Sequence, residues 1–93
     1  MIEDNDWRLE GQERSLRRSL CGAELRLVSW STHDRRDHDH CEVCWARIWD
    51  QPRADYEYDR GYVTLDRRLW ICEPCFADFK GRFALVEVTA PAA

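Results

Sequence analysis

Apolar residues along the chain form short patterns of two different periods, separated by polar runs. Leu9, Leu16 and Leu20 share one stripe of a helix, Glu10 with Arg14 and Glu13 with Arg17 are i,i+4 pairs in the favoured order, and Asp6 stands at a capping position. This predicts an amphipathic helix within residues 7 to 20, its leucines and Trp7 packed on the rest of the protein, with Gly11 as its weak point. Cys21 and Gly22 end it. From Ala23 to Trp30 the period falls to two: Ala23, Leu25 and Leu27 on one face of a strand, Val28 and Trp30 on the other. Ser31 to His40 is a polar loop, Trp45 to Trp49 alternates like a strand, and Asp50 to Asp55 reads as an exposed loop.

Tyr62 to Leu65 and Leu69 to Cys72 are short strands around the turn Asp66-Arg67-Arg68, a hairpin for which Gly61 is expected to supply a flexible lead-in. Pro74 suits the first turn of a helix, and Phe76, Phe79 and Phe83 follow at i, i+3 and i+7. The spacing predicts a helix over residues 74 to 83 with a core-facing phenylalanine stripe. The organisation expected is thus one domain over residues 1 to 93: a helical segment at 1–22, strands, knuckles and helix at 23–88, and a frayed Pro/Ala-rich tail at 89–93.

Length changes this picture by making the core marginal. A chain of 93 residues buries only about 60–65% of the surface it exposes when unfolded, and small scaffolds commonly add a structural metal. The ligands for one are present. Cys41-Glu42-Val43-Cys44 is answered about 27 residues later by Cys72-Glu73-Pro74-Cys75, the spacing of a four-thiolate zinc site whose ligands come from two knuckles. The second pair falls where a helix should begin, and zinc and helix amides both favour thiolate. One knuckle before a hairpin and one opening a helix is the arrangement of a treble-clef zinc finger; a zinc ribbon, with both knuckles on hairpins, is the near alternative. The expected fold is therefore α+β, a small treble-clef-like finger with an N-terminal amphipathic helix, short antiparallel strands and a C-terminal helix, holding one structural zinc ion on Cys41, Cys44, Cys72 and Cys75. Cys21, outside this pattern, reads as a buried, inert thiol.

Charge and chemistry narrow function less. The net charge is −4, with nine acids and seven bases in residues 1–40 and again in 41–93. Four thiolates around one divalent ion make the balance more negative still, which argues against broad affinity for a phosphate backbone. No apolar run is long enough for a bilayer, and the polar, acidic stretch Met1 to Asp6 is unlike a signal peptide, so a cytoplasmic protein is expected. A reducing compartment also suits five cysteines, an odd number for a disulfide framework.

A catalytic zinc keeps an open position, whereas four cysteines close the site. That leaves His38 and His40, in Asp37-His38-Asp39-His40, as the route to chemistry. A metal-dependent nuclease can be built on a treble-clef scaffold, but its catalytic histidine lies on the hairpin with a further ligand on the helix; here the cluster precedes the first knuckle and the helix carries no histidine. The histidines are better read as orienting the knuckle, or as auxiliary ligands. Five tryptophans are many for this length, and Trp7, Trp30, Trp45 and Trp49 are candidates for partner contact, since Trp beside Arg is the composition of interaction hot spots.

The runs Asp37-His38-Asp39-His40-Cys41-Glu42-Val43-Cys44-Trp45-Ala46, Gly61-Tyr62-Val63-Thr64 and Trp70-Ile71-Cys72-Glu73-Pro74-Cys75-Phe76-Ala77-Asp78-Phe79-Lys80, with the opening Asp6-Trp7-Arg8-Leu9-Glu10-Gly11-Gln12-Glu13, resemble a group of small uncharacterised bacterial zinc-finger proteins. The resemblance implies a bacterial, cytoplasmic, metal-binding domain and carries no settled activity. Members often have an aromatic before the first acid–His pair, where Arg36 stands here. The leading expectation is a non-enzymatic, zinc-stabilised module that binds another protein as an adaptor or inhibitor. A nucleic-acid-binding finger using Arg14, Arg17, Arg18 and exposed tryptophans is the alternative, and the nuclease is the weaker one.

Overall fold

The leucine stripe forms as its spacing requires, but on two pieces of chain. In the computed structural model, which describes residues 6–30 and 38–88, Trp7–Leu9 is a 3-10 turn and Glu13–Leu20 an α-helix, α1. Gly11, at φ +74°, separates them and replaces the continuous helix expected over 7–20. Glycine adopts that left-handed backbone without the Cβ penalty that would keep another residue helical. Asp6 caps the turn, its Oδ1 accepting from the Arg8 amide at 2.9 Å. Leu9, Leu16 and Leu20 are all buried, but Trp7 lies 68% exposed rather than packed, because Leu9 supplies the inward face of so short a turn. Gly22, also at φ +74°, ends α1. Cys21, beside Leu20 and off the buried stripe, is exposed, which corrects the expectation of a buried thiol.

β1 (Glu24–Ser29) then enters the middle of a four-stranded sheet of order β5-β4-β1-β6. It pairs antiparallel with β4 (Arg60–Thr64), Leu25 opposite Thr64 through Ser29 opposite Arg60. β4 in turn pairs antiparallel with β5 (Trp70–Ile71), the expected hairpin. On the other side lies β6 (Val86–Glu87), parallel to Glu24–Leu25 and fixed by amides of Val86 and Val88 donating to the carbonyls of Ala23 and Leu25. The second sheet is a two-strand ribbon of β2 (Asp39–His40) and β3 (Arg47–Ile48), so the end of the expected polar loop is extended and paired. The rest of that loop, residues 31–37 with His33, and the tail 89–93 lie outside the described residues.

Gly61 is a buried strand residue rather than a flexible lead-in. A Cβ there would sit 3.1 Å from the Ile71 carbonyl oxygen and 3.2 Å from Ile48 Cδ1, so the absent side chain lets β5 and β3 close on β4.

α2 (Glu73–Phe79) is shorter than the helix expected over 74–83. The Phe83 amide nevertheless donates to the Phe79 carbonyl, an i to i−4 bond that keeps the turn helical enough to hold the stripe together. Phe76, Phe79 and Phe83 are buried with Leu9, Leu16, Leu20, Leu25 and Ile71 in one core, where Tyr62 stacks on Phe76 with ring centroids 3.7 Å apart. A second cluster of Trp30, Ile48, Val63 and Trp70 packs elsewhere, so β1 and β4 carry apolar residues on both faces. Among the described residues no helix is long and apolar enough to cross a membrane.

Candidate metal centre

Cys41 follows directly on β2, and Cys44 lies in the tight turn that leads to β3. The turn is built around the Cys41 sulfur, which accepts from the amides of Val43 at 3.4 Å and Cys44 at 3.5 Å, while the Cys41 amide donates to the Ala46 carbonyl across the ribbon. Cys72 is the N-cap of α2 and Cys75 is in its first turn, with Pro74 between them where no helical N–H is needed. The Glu42 amide donates to the Trp70 carbonyl at 2.8 Å, a main-chain bond that brings the first knuckle to the strand leading into the second.

The four sulfurs consequently lie within 4.8 Å of one another. Cys44 Sγ and Cys72 Sγ are 3.6 Å apart, far beyond the ~2.05 Å of a disulfide and close to the ~3.8 Å edge of a tetrahedron with metal–sulfur distances of ~2.3 Å. Cys41, Cys72 and Cys75 are buried and Cys44 partly so. Sulfurs this crowded compete for protons. Hydrogen bonds from Cys41, Cys72 and Cys75 hold the Cys44 thiol far below its usual range, while those with Cys41, Cys44 and Cys72 push Cys75 far above it. A divalent cation bound there would end that competition by favouring thiolate at every position. The donor set and its size thus fit one metal ion and are compatible with zinc; among the described residues it is the one cluster of three or more candidate ligands.

Two residues that the sequence reading passed over close around this cluster. The Arg8 guanidinium grips Asp6 through Nε at 2.8 Å and Nη2 at 2.7 Å, and Nη1 donates to Asp78 Oδ2 at 2.9 Å and to Cys75 Sγ at 3.5 Å. Its carbon lies 4.5 Å from the Phe79 ring centre. Hydrogen bonds to Asp6 raise the Arg8 pKa against the opposing effect of burial, and the same partner holds the Asp6 carboxyl down at about 2. Gln12, at the N-cap of α1, leaves the helix amides alone; its Nε2 donates instead to the carbonyls of Arg8 and, at 2.9 Å, Val43. No periodicity marks either residue. The one signal was their place in the quoted opening segment.

His38 and His40 are not members of the ligand cluster; they are half-buried and edge to face at 4.9 Å, with His40 5.6 Å from the Trp45 ring. The tryptophans divide sharply. Trp30 is 8% exposed and packs on Trp70 at 5.2 Å, which removes it from the candidates for partner contact. Trp49 is held by its own surroundings: Arg47 and Arg53 lie 5.0 and 5.3 Å from its ring, and its Nε1 donates to Glu57 at 2.9 Å. Trp7 and Trp45 are 68% and 67% exposed. Compared with protein families, with curated proteins and with solved structures, the chain matches none.

Proposed function

We propose that this is a non-enzymatic zinc finger of the treble-clef type that binds another protein through the surface of its first knuckle. The order of ribbon, hairpin and helix, with the second cysteine pair at the helix start, favours the treble clef over a ribbon. Four cysteine ligands fill a tetrahedral ion and leave no position for substrate.

The observation that carries the interaction reading is Trp45. It follows Cys44 directly, its backbone is left-handed at φ 67°, and its ring is two-thirds exposed. A non-glycine residue in that conformation costs about 1–2 kcal/mol, and a large ring left in water recovers little of it by burial. Folding alone would be better served by glycine. A tryptophan at such a place is accounted for by contact outside the chain, of the kind that aromatic anchors make in protein interfaces. The acidic balance favours a protein partner over nucleic acid.

Trp45→Gly separates the two demands. Affinity capture from native lysate with mass spectrometry, run with zinc-loaded wild type and variant, is expected to show a protein retained by the first and lost by the second, the loss confirmed by titration of the purified pair. Identical capture by both overturns the role of Trp45, and salt-dependent retention of nucleic acid in place of protein overturns the partner class.

A further inference from the structure

The N-terminal segment reaches both knuckles through side chains. Arg8 Nη1 donates to Cys75 Sγ in the second knuckle, and Gln12 Nε2 donates to the carbonyl of Val43, which lies between the two cysteines of the first. Arg8 is a costly residue to place there. Its side chain is only 12% exposed, and a guanidinium so far removed from water depends on acceptors within the protein for its N–H groups. Asp6 takes Nε and one proton of Nη2, and the two protons of Nη1 are directed at Asp78 and at the Cys75 sulfur. A neutral thiol is a weak acceptor and a metal-bound thiolate a strong, anionic one. The segment therefore docks better on a loaded centre than on an empty one.

Resting on the reading of the cluster as a metal centre, we infer that Arg8 is its outer positioning residue, donating an N–H···S bond to the Cys75 thiolate, and that residues 6–12 form a strap whose docking is coupled to metal occupancy. Coupling of this kind is reciprocal: metal tightens the strap by the factor by which the strap tightens metal. Partners that orient metal ligands typically account for 10–100-fold in affinity. The exposed Trp7 rides on the strap and so becomes a surface feature dependent on the metal.

The test uses the full chain with Arg8→Met, which keeps the stem on Phe79 and removes the donors, and Arg8→Lys, which keeps the charge. Zn2+ affinity is measured by chelator competition, Co2+-loaded protein is read by its thiolate-to-metal charge-transfer band, and hydrogen exchange is followed at saturating Zn2+. Arg8→Met is expected to bind Zn2+ at least about 10-fold more weakly, to shift the band to lower energy because an unbonded thiolate is easier to oxidise, and to speed exchange in residues 6–12 while α2 stays protected. Arg8→Lys should recover part of both. Affinity equal to wild type, or weaker affinity with an unmoved band, overturns the assignment, the second outcome meaning that Arg8 only packs. If wild-type protein binds neither ion, the metal reading itself fails, a result distinct from the other two.

Discussion

The two Cys-x-x-Cys knuckles are interchangeable as motifs, and they differ in how much of each faces solvent. The second is sunk in the core: Cys72 and Cys75 are each 1% exposed, Phe76 and Phe79 continue from them into the main cluster, and Arg8 lies over the Cys75 sulfur. The first, a turn at the end of a two-strand ribbon, shares that burial at Cys41 and Val43, but its Cys44 is partly exposed and Trp45 stands into solvent on a left-handed residue. Identical ligand chemistry thus does two jobs. One pair anchors the helix to the sheet, and the other carries a surface that a short ribbon could not hold rigid by its own burial.

The largest test removes what the pairs share. Chelation of the metal-loaded protein, or Cys72→Ala, is expected to abolish the cooperative near-UV and thermal transition, since structural zinc contributes on the order of 10 kcal/mol of folding free energy in small fingers. An unchanged melting temperature would mean that the sulfurs are not needed together. The next contrasts the two neighbourhoods. Phe76→Ala, which vacates a buried site stacked on Tyr62, should cost about 3–5 kcal/mol in denaturant unfolding. Trp45→Gly should instead be neutral or stabilising by up to about 1 kcal/mol. Similar losses at both would erase the distinction between anchor and display.

The smallest effect concerns acid. The Asp6 carboxyl is held down to about 2 by the hydrogen bonds that Arg8 donates to it. A carboxylate with a depressed folded-state pKa contributes stability that is fully present above its unfolded value of about 4 and is lost as pH falls from there toward 2. The difference in melting temperature between wild type and Asp6→Asn should accordingly stay constant from pH 7 to about pH 4.5 and narrow below it. A difference that varies near neutrality would show that Asp6 is not the group responsible.

Local signals carried the sequence reading far, and it stopped where contacts became distant. The cysteine pairs, the hairpin around Asp66 and the phenylalanine stripe were legible because each is a short pattern with one dominant physical cause. Gly11 was legible as a weakness but not as a break, which depends on where Leu9 must pack. β6 was missed because two residues in parallel pairing with β1 carry no pattern of their own. Gly61 was misread because its close neighbours, Ile71 and Ile48, come from other strands. Arg8 and Gln12 look like any polar residues of an amphipathic segment until the carbonyl of Val43 and the sulfur of Cys75 come within reach. Five tryptophans counted alike in the composition, and only the tertiary structure sorts Trp30 and Trp70 into a core, Trp49 into its arginine clamp, and Trp7 and Trp45 onto the surface.

The ties that Arg8 makes to Cys75 and Asp78, and Glu13 to Arg82 at 2.7 Å, join positions more than sixty residues apart. All four cysteines of the cluster, by contrast, lie within one stretch from Cys41 to Cys75. That stretch can gather its four sulfurs without residues 6–13, whereas residues 6–13 find their acceptors and partners on Val43, Cys75, Asp78 and Arg82 only once the knuckles and α2 are in place. Contacts of such long sequence separation form late because the loop they close must first give up its freedom. The strap is therefore expected to settle onto a centre that its own residues do not help to gather.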